Sequence, residues 1–418
     1  MRYNTPLVAM TAAVVGLLAT GCSSSSSADA DGTVELTVWT GFTGGDAAGY
    51  QQIVEDFNAS QDGIHVTMSA EPWDTIQQKL PSAWMTGQGP DIATPASDPN
   101  VVAQYVKTNS VLPLTLTGDG DDRINVDDFA PALVDEFTYD DQIYAVPANY
   151  ATLSLYYNKE LLDAAGVEPP TTVDELKAAA KTLTTGDTYG LSLADNNTIQ
   201  MWPVLQWLEG GDIVDDSGCS VLDTTEGKDS LQPWVDLVVN DKISPVGQTG
   251  AESDALFSAG KAAMQINGPW AASGYREAGI DLGITTVPLD SSGDPVTLGS
   301  TAPLAISAKT EHPQEAQEFL AYWTSEATQK EFSLSTGFPS LRTDLADDPD
   351  LAADETVSVF ASQVAGSRLY LPQVTEATKV DSDGYVPLIG ELTRGGSLDE
   401  QTAAASDTID ELTGCTAG

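Results

Sequence analysis

A chain of 418 residues is too long for one ordinary hydrophobic core and suits two domains, and its 41% apolar content is that of a soluble globular protein. Lys and Arg number 17 against 62 Asp and Glu, a formal net charge of −45. So acidic a chain lacks the basic patches that nucleic acid requires, and its field repels anionic lipid headgroups and polyanionic ligands; neutral or cationic ligands are favoured. With only His65 and His312, and cysteines outside any metal or nucleophile spacing, neither a His-centred zinc site nor a Ser-His-Asp constellation is expected.

Residues 1–21 read as an export signal, with Arg2 as a thin positive region and an apolar run, Leu7 to Ala19, too short for a spanning helix of ~20 residues. The run ends Leu18-Ala19-Thr20-Gly21-Cys22. This ending is similar to a lipobox, the cleavage site of bacterial lipoproteins, with Ala19 where Leu is commoner. It implies that Cys22 becomes a lipidated first residue held at the membrane. Residues 22–32, rich in Ser, read as a flexible tether.

Val34 to Thr40 alternates as a first strand, and the glycine-rich stretch to Asp46 follows as a pliable loop. A helix from about Asp46 to Ala59 carries Tyr50, Ile53, Val54 and Phe57 on one face, and Ile64 to Met68 is a second strand. This opening predicts an α/β sheet whose first loop lies at the carboxyl end, where such folds place ligands. Trp39, inside the strand, reads as core. The stretch from Trp73 to Trp84 is amphipathic but interrupted at Pro81, and it leads into Gly89-Pro90-Asp91-Ile92, where Asp91 reads as closing a turn. From Tyr150 to Asn158 apolar and polar residues alternate as a strand; Asn158 then caps a helix that Gly166 ends. Thr172 or Asp174 caps the next helix. Trp207 and Trp323 fall on apolar helical stripes and read as core. Cys219 and Cys415 are free to bond in an extracytoplasmic compartment, and closing so long a loop adds roughly 4 to 5 kcal/mol on the chain-entropy model. The chain has no phosphate-binding G-x-x-x-x-G-K-[ST], so energy for any transport comes from another subunit.

Four motifs occur in a telling order: the lipobox, GQGPDI at 87–92, YAVP followed by LSLYYNKELLDAAGVEPP between 144 and 170, and FSAGKAAMQINGPW at 257–270. Together they resemble the family 1 extracellular solute-binding proteins, the oligosaccharide receptors of bacterial ABC importers, over nearly everything from Val34 to Leu412. The resemblance implies an α/β, two-lobed, periplasmic-binding-protein-like fold, each lobe a mixed sheet flanked by helices. It places 33–147 and 303–340 in the N-terminal lobe and 148–302 and 341–418 in the C-terminal lobe, joined by a multi-segment hinge. It also implies a monomer, without cofactor or metal, that closes around a neutral oligosaccharide, makes or breaks no bond, and delivers the sugar to permease subunits.

The same pattern supplies candidate ligand residues. They are Phe42, Thr43 and Asp46 in the first loop, Asp98 after the GPDI turn, Asn149 and Tyr150 at the first crossing between lobes, and Gly299 at the second. Asn197 has the donors and acceptor that suit a sugar hydroxyl, with a helix cap or turn as its alternative. Trp270 follows Gly-Pro at a strand end, where an indole face is exposed to pack on the C–H face of a pyranose. Tyr385, near the end, is expected to reach the cleft. Two other classes compete. A secreted glycoside hydrolase needs paired carboxylates, which a chain this acidic always contains. A surface carbohydrate-binding adhesin calls for repeats or a stalk, and it leaves Gly-Pro-Trp unexplained.

Overall fold

The structure is a computed structural model that describes residues 32–96, 99–115, 123–196, 201–371, 374 and 376–415. The export signal, Cys22, Asp98 and Asn197 lie outside the described residues. The strands that build the frame are β1 (Val34–Thr40), β2 (Ile64–Ala70), β3 (Ile92–Ala93), β4 (Ala145–Pro147), β5 (Ala151–Thr152) and β6 (Ser154–Asn158), followed by β7 (Tyr189–Ser192), β8 (Ala262–Asn267), β9 (Leu282–Thr286), β10 (Thr297–Ser300), β11 (Pro303–Ile306) and β12 (Ser367–Leu369).

They form two mixed sheets and a connecting one. The first runs β2-β1-β3-β11-β4, with β1 parallel to β2 and β3 and with β11 antiparallel to its neighbours. The second runs β9-β6-β8-β7, in which β6 is antiparallel to β8 and β9. Between them lies β12-β10-β5. Each large sheet has its own apolar core. One gathers Leu36, Val38, Tyr50, Phe57, Leu304 and Trp323; the other gathers Leu155, Leu176, Trp202, Trp234, Met264 and Leu388. Trp207 is also buried in the second, and Trp39 is partly buried against a smaller cluster beside the first.

The chain passes between the lobes at 147–151 and again at 300–303, and the two passages run antiparallel side by side. Asn149 ties them together: its carbonyl accepts from Thr301 Oγ1 at 2.6 Å, and its side-chain oxygen accepts from the Ala302 amide at 3.3 Å. The continuous strand expected from Tyr150 is therefore split at Leu153, with β5 in the connecting sheet and β6 in the second lobe. Its polar side is also buried. Thr152 Oγ1 donates to the Phe360 carbonyl at 2.8 Å, Ser154 Oγ accepts from Gln363 at 2.6 Å, and Tyr156 Oη donates to the Gly268 carbonyl at 2.7 Å. Alternation here marks two covered faces, because a strand at the centre of a protein is packed from both sides.

Three further expectations are corrected. The helix Trp73–Thr86 continues through Pro81. Segment 341–353, expected with the second lobe, packs on the first: Leu341 joins its core, Arg342 pairs with Asp128 at 2.7 Å, and Lys330 meets Asp348 at 2.8 Å. Asp91 is structural, as expected, but its carboxylate ties distant segments rather than its own turn, accepting from the Thr37 amide in β1 at 2.8 Å and from Thr310 Oγ1 at 2.7 Å. Asn158 and Thr172 cap their helices, and Gly166 ends the first of these in the left-handed region that favours glycine. Cys219 and Cys415 are joined as a disulfide. No helix among the described residues is long and apolar enough to cross a membrane.

Candidate ligand-binding cleft

A cleft of about 1140 Å³ lies between the lobes. Both lobes and both passages line it, the latter through Asn149, Gly299 and Ala302. On the N-terminal side the loop after β1 enters it with Phe42, Thr43 and Asp46. Phe42 is stacked on Tyr50 with centroids 3.8 Å apart and meets the Trp73 ring edge-on at 5.6 Å. A Cβ on Gly41 would fall 2.1 Å from the Trp73 ring, so the indole lies against bare backbone.

On the C-terminal side β8 ends at Asn267, and Gly268-Pro269 turns Trp270 into the cleft, partly buried against both cores. A Cβ on Gly268 would sit 2.1 Å from the indole, which explains why glycine precedes this turn. The lobes touch here. A Cβ on Gly45 would lie 2.5 Å from Ser273 Oγ and 3.1 Å from the Trp270 carbonyl oxygen, so the first loop abuts the 270–274 turn with no room for a side chain.

Asp46 is buried, and its carboxyl is pushed up to about 6 because burial withdraws water from the charged form. Tyr50 donates to it and in turn accepts from Asn149 Nδ2 at 2.5 Å, linking the first loop to the hinge. A raised carboxyl disfavours the folded state once it ionises. Between the ordinary 3.8 and about 6 the folded chain holds the proton that the unfolded chain releases, so this group's contribution falls as pH rises through that window. The penalty reaches about 3 kcal/mol at most. Asp46→Asn is therefore expected to melt higher than wild type at pH 7.5 and to lose that advantage at pH 4; equal melting differences at both pH values would overturn this account.

Of the residues read from sequence, Phe42, Thr43, Asp46, Asn149, Trp270 and Gly299 line the cleft. Tyr150 does not: it sits behind Gly299, its hydroxyl bonded to Ser367 Oγ at 2.7 Å. Tyr385 is the clear correction, since it is fully enclosed in the second core and donates to Gln206 at 2.8 Å. The cleft also contains residues that sequence reading passed over, among them Trp73, Tyr105, Phe338, Tyr370, Asp254 and Asp381. Trp73 and Tyr370 carried a usable signal, each standing within a few residues of a strand's carboxyl end. Asp254 carried none, being one acid in an ordinary helix.

The cleft carboxylates are Asp46, Asp74, Asp254 and Asp381, and among the described residues no Lys, Arg or His lines it. Such a surface offers hydroxyl acceptors and aromatic faces but no counter-charge for an anion.

Two α/β lobes joined by paired crossing strands, with a large polar and aromatic cleft between them, define a periplasmic-binding-protein-like solute receptor. The chain belongs to the bacterial extracellular solute-binding protein family, whose pattern matches residues 52–359. It is similar to the arabinooligosaccharide-binding protein of Halalkalibacterium halodurans, 28% identical over 79% of this chain and 77% of that one. It is likewise similar to the maltotriose-binding protein of Pyrococcus abyssi, 23% identical over 80% and 72%. Among solved structures it resembles the GacH receptor of Streptomyces glaucescens, studied with acarbose, with a TM-score of 0.82 and 26% identity over 91% of this chain and 99% of that one.

Proposed function

We propose that this protein captures a neutral oligosaccharide between its lobes and delivers it to an ABC transporter permease from the outer face of the cell membrane, held there by lipid on Cys22. The observation that carries the reading is the cleft lining: aromatic rings beside carboxylates, with no cation among the described residues. Sugars present apolar C–H faces to the rings and hydroxyl donors to the acids, whereas a phosphorylated or uronic ligand meets only repulsion. Because the ligand contacts both lobes, it stabilises the closed arrangement by its differential affinity, and no bond is broken. The candidate contacts are Phe42, Thr43, Asp46, Asn149, Trp270 and Gly299, with Asp98 and Asn197 proposed from the family pattern.

Calorimetric titration of the purified protein with maltotriose, arabinotriose and longer neutral oligomers tests this, with reducing ends assayed in parallel. Saturable binding without new reducing ends is expected. Release of reducing ends would favour the hydrolase, and silence toward every neutral sugar would overturn the ligand class.

A further inference from the structure

The C-terminal wall of the cleft carries a carboxylate that no motif points to. Asp254 lies in the helix Gly250–Ser258, packed beside β8. Its Oδ1 accepts from Gln265 Nε2 at 2.8 Å, from Asn267 Nδ2 at 2.7 Å and from Tyr275 Oη at 3.0 Å. The donors are fully spent. Gln265 gives its other amide proton to Ser253 Oγ at 3.0 Å, and Asn267 gives its other to Tyr275 Oη at 2.8 Å. The single Tyr275 proton is shared between Asp254 Oδ1 and Gln265 Oε1, the latter at 2.5 Å.

All of this falls on one oxygen. Among the described residues Oδ2 has no hydrogen-bond partner, although burial pushes the carboxyl upward and the residue borders the cleft. Asp254 is half-buried: three donors fix one oxygen, and the other stays open to the cleft, oriented and free to accept from a ligand. The network also reaches the turn that presents Trp270. Asn267 Oδ1 accepts from the Gly268 amide at 2.8 Å, and Tyr156 Oη holds the Gly268 carbonyl at 2.7 Å. One set of hydrogen bonds thus sets both the acid and the start of the indole's turn.

We infer that Asp254 is a ligand-recognition residue whose Oδ2 accepts from hydroxyls of a bound neutral oligosaccharide, and that Gln265, Asn267 and Tyr275 are positioning residues that register it against Trp270. This rests on the oligosaccharide reading of the cleft.

Asp254→Asn tests it cleanly. The amide keeps an oxygen where the three donors converge and replaces only the cleft oxygen, an acceptor, by a donor. With maltotriose and arabinotriose as the calorimetric probes, whichever wild type binds is expected to bind D254N about 10- to 100-fold more weakly, with little change in the melting temperature of the unliganded protein. Gln265→Met is expected to weaken binding in the wild-type background and to add little in D254N, since it acts through Asp254. Wild-type affinity in D254N would overturn the assignment while leaving the receptor reading intact. Equal effects of Q265M in both backgrounds would overturn the positioning role. A wild type that binds no neutral sugar would remove the oligosaccharide reading and this inference with it.

Discussion

Trp270→Ala is expected to weaken oligosaccharide binding by about 30- to 100-fold, the loss of about 2 to 3 kcal/mol that follows when a large ring no longer covers apolar ligand surface. The indole is placed for this by the strand that ends at Asn267, by the missing side chain at Gly268, and by contacts to the cores of both lobes. It also packs near Phe338, with centroids 6.4 Å apart, so the substitution removes a contact between lobes as well. Two variants separate these roles. Trp270→Phe retains an aromatic face and is expected to recover most of the affinity, whereas a purely packing role would show in the melting temperature of the unliganded protein and leave affinity unchanged. If Trp270→Ala bound the sugar as tightly as wild type, the stacking assignment would be wrong.

Removing the disulfide by Cys219→Ser with Cys415→Ser is expected to lower the unfolding free energy by about 2 to 5 kcal/mol. The two cysteines are 196 residues apart in sequence, so the cross-link withdraws a large amount of freedom from the unfolded chain. The folded loop has other support: Asp215 Oδ1 accepts from the Cys219 amide at 3.0 Å, and the Ser220 amide donates to Asp410 Oδ1 at 2.8 Å. The loop therefore stays docked on the helix Leu398–Thr413 after the bond is gone, and the loss falls mainly on the unfolded state. Neither cysteine lines the cleft, so sugar affinity is expected to persist. Urea midpoints with and without reductant measure the effect; an unchanged midpoint would show that the cross-link contributes nothing to stability.

Local and periodic features of this chain were legible before its structure. The alternation of Val34–Thr40, the cap at Asn158 and the stop at Gly166 depend on neighbours in sequence or on backbone chemistry that residue type controls directly. The Gly-Pro-Trp motif was legible as a turn at a strand end, whereas the fold of the indole back over Gly268 came only with the structure. What tertiary structure decided was the other side of each contact. Tyr385 and Trp270 are both aromatic residues near a helix start, yet one is sealed under Gln206 and the other faces the cleft, and only the packing of distant segments separates them. Tyr150 lost its place in the cleft to Ser367, 217 residues away. Asp254 gained its place there because β8 and the Tyr275 helix converge on one of its oxygens, an arrangement no spacing along the chain encodes. Burial and hydrogen-bond satisfaction are properties of neighbourhoods, and in a two-lobed protein the neighbourhoods that form the ligand site are assembled from segments hundreds of residues apart.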